Sequence, residues 1–200
     1  MHDATIDTAA HKLADIQQQI AAAAKLARRE PGDIELIAVS KTRTPFEIEP
    51  LLRAGQRTFG ENRVQEAADK WPELRARYPD VKLHLIGQLQ SNKADEAVAL
   101  FDVIHSVDRI SLVNALGKAM KAQATHVPCF IQVNIGAELQ KGGCAIDELP
   151  ALLAAVQAQQ IQVAGLMCLP PADIEPAPFF LFFSELVARN VLDGLTLVAS

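Results

Sequence analysis

Apolar residues recur at three- or four-residue intervals through the first part of the chain, at Ile6, Ala10, Leu13, Ile16, Ile20 and Ala24. That spacing predicts one long helix with a single buried face. Arg28-Arg29 followed by Pro31-Gly32 supplies its stop signal. The period then changes. Residues 34–39 form a short apolar strand, and Thr44-Pro45-Phe46-Glu47 reads as a capping box with proline at the first helical position. The helix it opens stops at Gly55. A brief strand follows at 58–59, then a helix capped by Asn62 and running to Arg77, then a strand at 81–86. Ser91 or Asn92 starts the next helix, which ends near Leu100. Strands at 103–105, 129–133, 162–167 and 195–198 alternate with helices from an Asp108 cap to 124, over 147–159 and over 177–190.

Strict alternation of strands and helices implies a parallel sheet. Doubly wound sheets and (β/α)8 barrels both alternate in this way. Short, evenly spaced strands favour the barrel, as does the lack of a G-x-G-x-x-G or G-x-x-x-x-G-K-[ST] phosphate loop after the first strand. The expected architecture is therefore an α/β chain, a (β/α)8 TIM-type barrel with an extra N-terminal helix. Such a barrel closes with eight strands and typically takes about 250 residues. Here the last helix–strand–helix, on the order of 30 residues, is absent. Residues 1–200 read as a single barrel domain, incomplete at its C-terminus, with open sheet edges at strands one and seven. Such a chain is expected to aggregate if it is the whole polypeptide.

Composition narrows the function. Half of the 200 residues are hydrophobic and 22% are charged, enough for a substantial core. A formal net charge of −5 gives no electrostatic footprint for nucleic acid or an anionic membrane. The N-terminus lacks the apolar segment of a secretory signal, and no apolar run approaches membrane-spanning length. Cys129, Cys144 and Cys168 are odd in number and far apart, so they read as free thiols of a cytoplasmic protein.

In a parallel barrel, chemistry sits where strands end. Lys41 follows the first strand. An amine at a dry barrel mouth loses its charge easily and attacks aldehydes; a solvated strand-end lysine is the plainer alternative. His84 alternates with Leu83 and Leu85 inside the third strand, the pattern of a hydrogen-bonded core histidine. A metal at His84 and His105 needs a converging carboxylate that no spacing supports. Gly60 and Gly87 are either turn glycines or room for a ligand near the backbone. The Phe179-Phe180 and Phe182-Phe183 pairs read as helix packing, and Lys141-Gly142-Gly143 as a flexible loop.

Several segments then occur in a telling order. They are Ala38-Val39-Ser40-Lys41-Thr42, Phe59-Gly60-Glu61-Asn62-Arg63-Val64-Gln65-Glu66, and His84-Leu85-Ile86-Gly87-Gln88-Leu89-Gln90-Ser91-Asn92-Lys93. Ser106-Val107-Asp108, Val133-Asn134-Ile135, Glu138 with Lys141 and Gly143, and Gly165-Leu166-Met167 follow. Together they closely resemble the pyridoxal phosphate homeostasis protein family. The resemblance implies a barrel of the alanine racemase N-terminal-domain type and pyridoxal 5′-phosphate as cofactor. It implies a Schiff base on Lys41, with Asn62 and His84 beside the cofactor. It also implies cofactor homeostasis without a firm catalytic activity, with apo-enzymes as recipients and a monomeric state.

At the C-terminus the likeness weakens. Thr196-Leu197-Val198-Ala199-Ser200 aligns with the family's Ser-Met-Gly-Met-Ser stretch, so Ser200 takes the place of a phosphate-binding serine. Val198 replaces the glycine of a tight loop, and the family's next phosphate-binding strand is missing. Poor cofactor binding is the resulting expectation for these residues alone. A pyridoxal phosphate-dependent racemase or decarboxylase is the alternative. It needs a second acid–base group, and the single tyrosine, Tyr78, precedes the third strand at its amino-terminal side. A lysine aldolase is a third reading, permitted by barrel and lysine alone.

Overall fold

The computed structural model describes residues 2–136, 138, 141–170, 177–189 and 196–199. The chain forms two compact units. One comprises the chain up to Glu61 together with Gln65–Leu83; the other comprises Asn62–Val64 and the chain from His84 onward.

The first unit opens with helix α1 (His2–Leu26), which buries Leu13 and Ala24 and packs on α2 (Pro45–Arg53). The helix ends two residues before the expected Arg28, because the chain turns out through Arg28 at φ +54°. Strand β1 is only Ala38–Val39, shorter than the apolar run 34–39. The side-chain amide of Gln56 nevertheless ties that run down, donating to the Leu36 and Thr58 carbonyls at 2.7 Å each. The capping box forms as the sequence predicts. The Glu47 N–H donates to Thr44 Oγ1 and the Thr44 N–H to Glu47 Oε2, at 3.4 and 2.8 Å. Gly55, at φ +99°, ends the helix in the left-handed conformation that suits glycine. Strand β2 (Thr58–Glu61) is buried throughout and pairs in parallel with β1, Ala38 against Phe59 and Val39 against Gly60. Helix α3 (Val64–Arg77) buries Ala67, Lys70, Trp71 and Leu74, a helical stripe in which one member is charged. It begins two residues after Asn62, so Asn62 lies ahead of the cap position expected for it.

The second unit is a run of parallel βα units. Strand β3 (Lys82–Leu85) places His84 and Leu85 here, paired with Val103 and Ile104 of β4 (Val103–Val107). Strands β5 (Cys129–Gln132), β6 (Val163–Cys168) and β7 (Thr196–Ala199) follow in order, all parallel. Between them run α4 (Ala94–Leu100), α5 (Ile110–Gln123), α6 (Leu149–Ala158) and α7 (Ala177–Arg189). Single 3-10 turns at Ser91–Lys93 and Ile146–Glu148 lead into α4 and α6. Asp108 does not cap α5. Arg109 holds the cap position, and the Asp108 carboxylate instead accepts from the guanidinium of Arg109 at 2.6 Å and from the Gln88 amide at 3.2 Å.

The strand register sorts side chains onto two faces. Ile104, Cys129, Ile131 and Leu166 share one; His84, His105, Phe130, Gln132 and Met167 share the other. Both faces are buried, as parallel sheets require, and the second carries the polar His84, His105 and Gln132.

Candidate functional site

Lys41 lies in a four-residue turn that leaves β1. The Arg43 N–H closes the turn on the Ser40 carbonyl at 3.1 Å, and the Ser40 N–H donates to the Gly60 carbonyl at 2.9 Å. Thr42 takes the turn's third position at φ +62°. A β-branched residue is strained there, in a place that ordinarily calls for glycine. The Thr42 N–H is secured by Glu66 Oε1 at 2.5 Å.

Beneath the turn lies a buried polar network that single-residue reading of the sequence missed. The ammonium of Lys70 donates to the carbonyls of Ser40 at 2.8 Å and Arg43 at 3.2 Å, and to Glu66 Oε1 at 2.8 Å. It pairs with Glu61 Oε1 at 3.0 Å, where the Glu61 side chain is fully buried and that of Lys70 is 6% exposed. Glu61 Oε1 also accepts the Ser40 hydroxyl at 2.5 Å and the Trp71 indole N–H at 3.0 Å. Glu61 Oε2 has no hydrogen-bond partner among the described residues. The signal in the sequence was a lysine on the apolar stripe of α3, between Ala67, Trp71 and Leu74.

Lys41 itself is exposed, so the dry surroundings expected for it are not found; its turn carries it off the two-residue strand. Its ammonium has no hydrogen bond or ion pair among the described residues.

Asn62 and His84 belong to the second unit. Gly87 holds its place because a Cβ there would lie 2.3 Å from the Asn62 carbonyl oxygen. Its missing side chain makes room for the Asn62 backbone, not for a ligand. His84 is buried, and its Nδ1 lies 3.0 Å from Nε2 of His105, which is buried as well. The ring of His105 stacks on Phe130 at 4.5 Å and 23°. His84 and His105 thus meet through a hydrogen bond. Their convergence was legible only from the register of β3 on β4. Burial, aided by repulsion from His84, pushes His105 down to about 3, so it stays neutral. Among the described residues no group of three or more histidine, cysteine, aspartate or glutamate side chains gathers as a metal needs.

The loop after β5 is tied down at 141–143 instead of hanging free. Gly143 adopts φ +118° and abuts the Asn134 backbone; the Lys141 ammonium donates to the Pro170 carbonyl at 3.1 Å and pairs with Glu138 at 2.8 Å. The Asn134 side chain accepts from the Glu138 N–H at 3.1 Å and donates to the Glu138 carbonyl at 2.8 Å. All three cysteines are free and buried. Burial pushes the thiols of Cys129 and Cys144 up to about 12 and that of Cys168 to about 11, which leaves them inert as nucleophiles. Of the phenylalanine pairs, Phe183 is buried as expected, Phe182 half-buried, and the side chains of Phe179 and Phe180 lie outside the described residues. Ser200 also lies outside them.

Tyr78 is engaged away from the strand ends. Its hydroxyl donates to Glu49 at 3.5 Å, and the guanidinium groups of Arg57 and Arg77 each lie 5.9 Å from its ring centroid. Among the described residues no helix is long and apolar enough to cross a membrane.

Residues 11–181 match the family described as alanine racemase, N-terminal domain. The pyridoxal phosphate homeostasis protein of Pseudomonas aeruginosa is 37% identical over 193 residues, 96% of this chain and 82% of that protein. That of Escherichia coli K12 is 39% identical over 170 residues, 83% of this chain and 72% of that protein. PipY of Synechococcus elongatus, solved with pyridoxal phosphate bound, superposes with a TM-score of 0.72 at 38% identity, covering 89% of this chain and 87% of PipY. The fold class is thus the one that the βα rhythm and the motifs predicted.

Proposed function

The chain belongs to the pyridoxal phosphate homeostasis protein family, and from that premise we propose that it binds pyridoxal 5′-phosphate with Lys41 as the covalent anchor. One observation carries the assignment of Lys41. The chain places an exposed amine, without a partner among the described residues, at the centre of a turn held at both ends by the ammonium of the buried Lys70. Such an amine suits the cofactor. It has no ion pair to give up, and its backbone is already ordered, which lowers the entropy lost on binding. When bound, pyridoxal 5′-phosphate supplies an aldehyde that a neutral amine joins reversibly.

The chain's own groups divide the rest. Lys41 provides the amine. His84, hydrogen-bonded to His105, and Asn62, backed by Gly87, are the polar groups proposed to orient the ring. Ser200 is proposed for the phosphate. We read the protein as a monomeric cytoplasmic carrier that stores the cofactor and releases it to apo-enzymes, with no turnover of its own. Racemisation or decarboxylation needs a second proton-transfer group at the reacting carbon. The single tyrosine does not offer one, since its hydroxyl is directed at Glu49 and the guanidinium groups of Arg57 and Arg77 lie 5.9 Å from its ring centroid.

The test is an absorbance spectrum with added pyridoxal 5′-phosphate, before and after borohydride, on wild type and Lys41→Ala. A visible band in wild type that borohydride removes and the variant lacks supports the reading. A band of equal strength in the variant refutes Lys41 as the anchor. Amino-acid turnover well above the rate of free cofactor refutes the carrier role.

A further inference from the structure

We propose that Lys70, buried against Glu61, is the positioning residue for the Lys41 turn; this rests on the reading of Lys41 as the anchor. The ammonium of Lys70 reaches four oxygens within 3.2 Å, and two of them are the carbonyls of Ser40 and Arg43, the residues that bracket Lys41 and Thr42. No other described side chain grips both ends of that turn. Glu66 adds a third hold at the Thr42 N–H, and the same carboxylate oxygen is bonded to Lys70. Glu61 anchors the assembly from below through the Ser40 hydroxyl and the Trp71 indole.

The chemistry of the network argues for geometry over stability. A buried ion pair commonly adds little net stability compared with apolar residues of similar volume, because desolvation offsets the attraction. What Lys70 supplies that an apolar side chain cannot is directed bonds to two carbonyls. Those bonds are needed because the turn stores strain. Thr42 at φ +62° sits in a left-handed conformation that a β-branched residue disfavours. Without Lys70 the turn relaxes, and the backbone of Lys41, which sets the direction in which its side chain leaves the chain, is no longer fixed. Lys70 also holds one oxygen of each of Glu61 and Glu66, which ties both carboxylates to the turn's support.

The test compares wild type with Lys70→Met and with Glu61→Gln/Lys70→Met. The double variant leaves no orphaned buried charge and retains an oxygen for the Ser40 and Trp71 donors. Two readouts are taken. The first is hydrogen exchange at the Thr42 and Arg43 amides, against amides of β4 and β5. The second is the fraction of Lys41 trapped by borohydride at limiting pyridoxal 5′-phosphate. In the double variant, both turn amides are expected to exchange about tenfold faster while those of β4 and β5 hold, and trapping is expected to fall about tenfold. Uniformly faster exchange throughout the chain assigns Lys70 a merely structural role and overturns the proposal. So does unchanged exchange at the turn, or unchanged trapping. Failure to trap Lys41 in wild type overturns the anchor reading instead, and the exchange data then stand as a separate test of the turn's restraint.

Discussion

His105 makes the protein's stability depend on pH in a calculable way. Burial and the neighbouring His84 lower it from an ordinary 6.5 to about 3. The native state therefore refuses a proton that the unfolded chain accepts between those two values. Stability from this group is fully present above 6.5 and is lost as pH falls toward 3. By linkage the whole interval corresponds to ~5 kcal/mol, and the loss accumulated by pH 4.5 is ~3 kcal/mol. The informative variant is His105→Phe, which keeps an aromatic ring against Phe130 and removes the titration. At neutral pH it is offset from wild type by the lost hydrogen bond to His84 and any misfit. That offset is not the test. Urea unfolding of both proteins is followed from about pH 7.5 to about pH 4.5, where carboxylates shared by both chains cancel. Wild type should lose ~3 kcal/mol more than the variant over this range. Parallel pH profiles would show that His105 protonates in the folded state as easily as in water, and would refute the reasoning.

Gly87→Ala forces a Cβ against the Asn62 carbonyl, so it should destabilise the protein by ~1–3 kcal/mol, read by urea unfolding, and should weaken cofactor uptake through Asn62. Thr44→Ala removes half of a reciprocal cap and should lower stability by ~1 kcal/mol, with little change in the denaturant slope. Cys129, Cys144 and Cys168 should resist a thiol reagent at mildly alkaline pH in the native protein and react at once in urea, as a timed titration will show.

Much of the fold was legible because its signals are local. The Thr44–Glu47 box, the Gly55 stop and the strict βα rhythm need nothing beyond neighbouring residues. Strand β1 was overextended because an apolar run does not reveal where pairing begins, and Gln56 reaches back to Leu36 from outside the strand. The Asp108 cap failed because the carboxylate found stronger donors in Arg109 and Gln88. Lys41 could be singled out by position, but its exposure could not, since that depends on a turn with Thr42 in a conformation usually left to glycine. Long-range partners stayed hidden. Lys70 lies thirty residues from Ser40 in sequence, and His105 twenty-one from His84, and only the assembled strands bring each pair together.

The central claim is tested most directly by mapping the reduced adduct. The protein is mixed with pyridoxal 5′-phosphate, treated with borohydride, digested and read by mass spectrometry, beside a sample in which the cofactor is omitted. The account predicts one dominant pyridoxyl-modified peptide, the one carrying Lys41, saturating at limiting cofactor. Label spread over surface lysines in proportion to their exposure, or concentrated on another lysine with Lys41 unmodified, would contradict it.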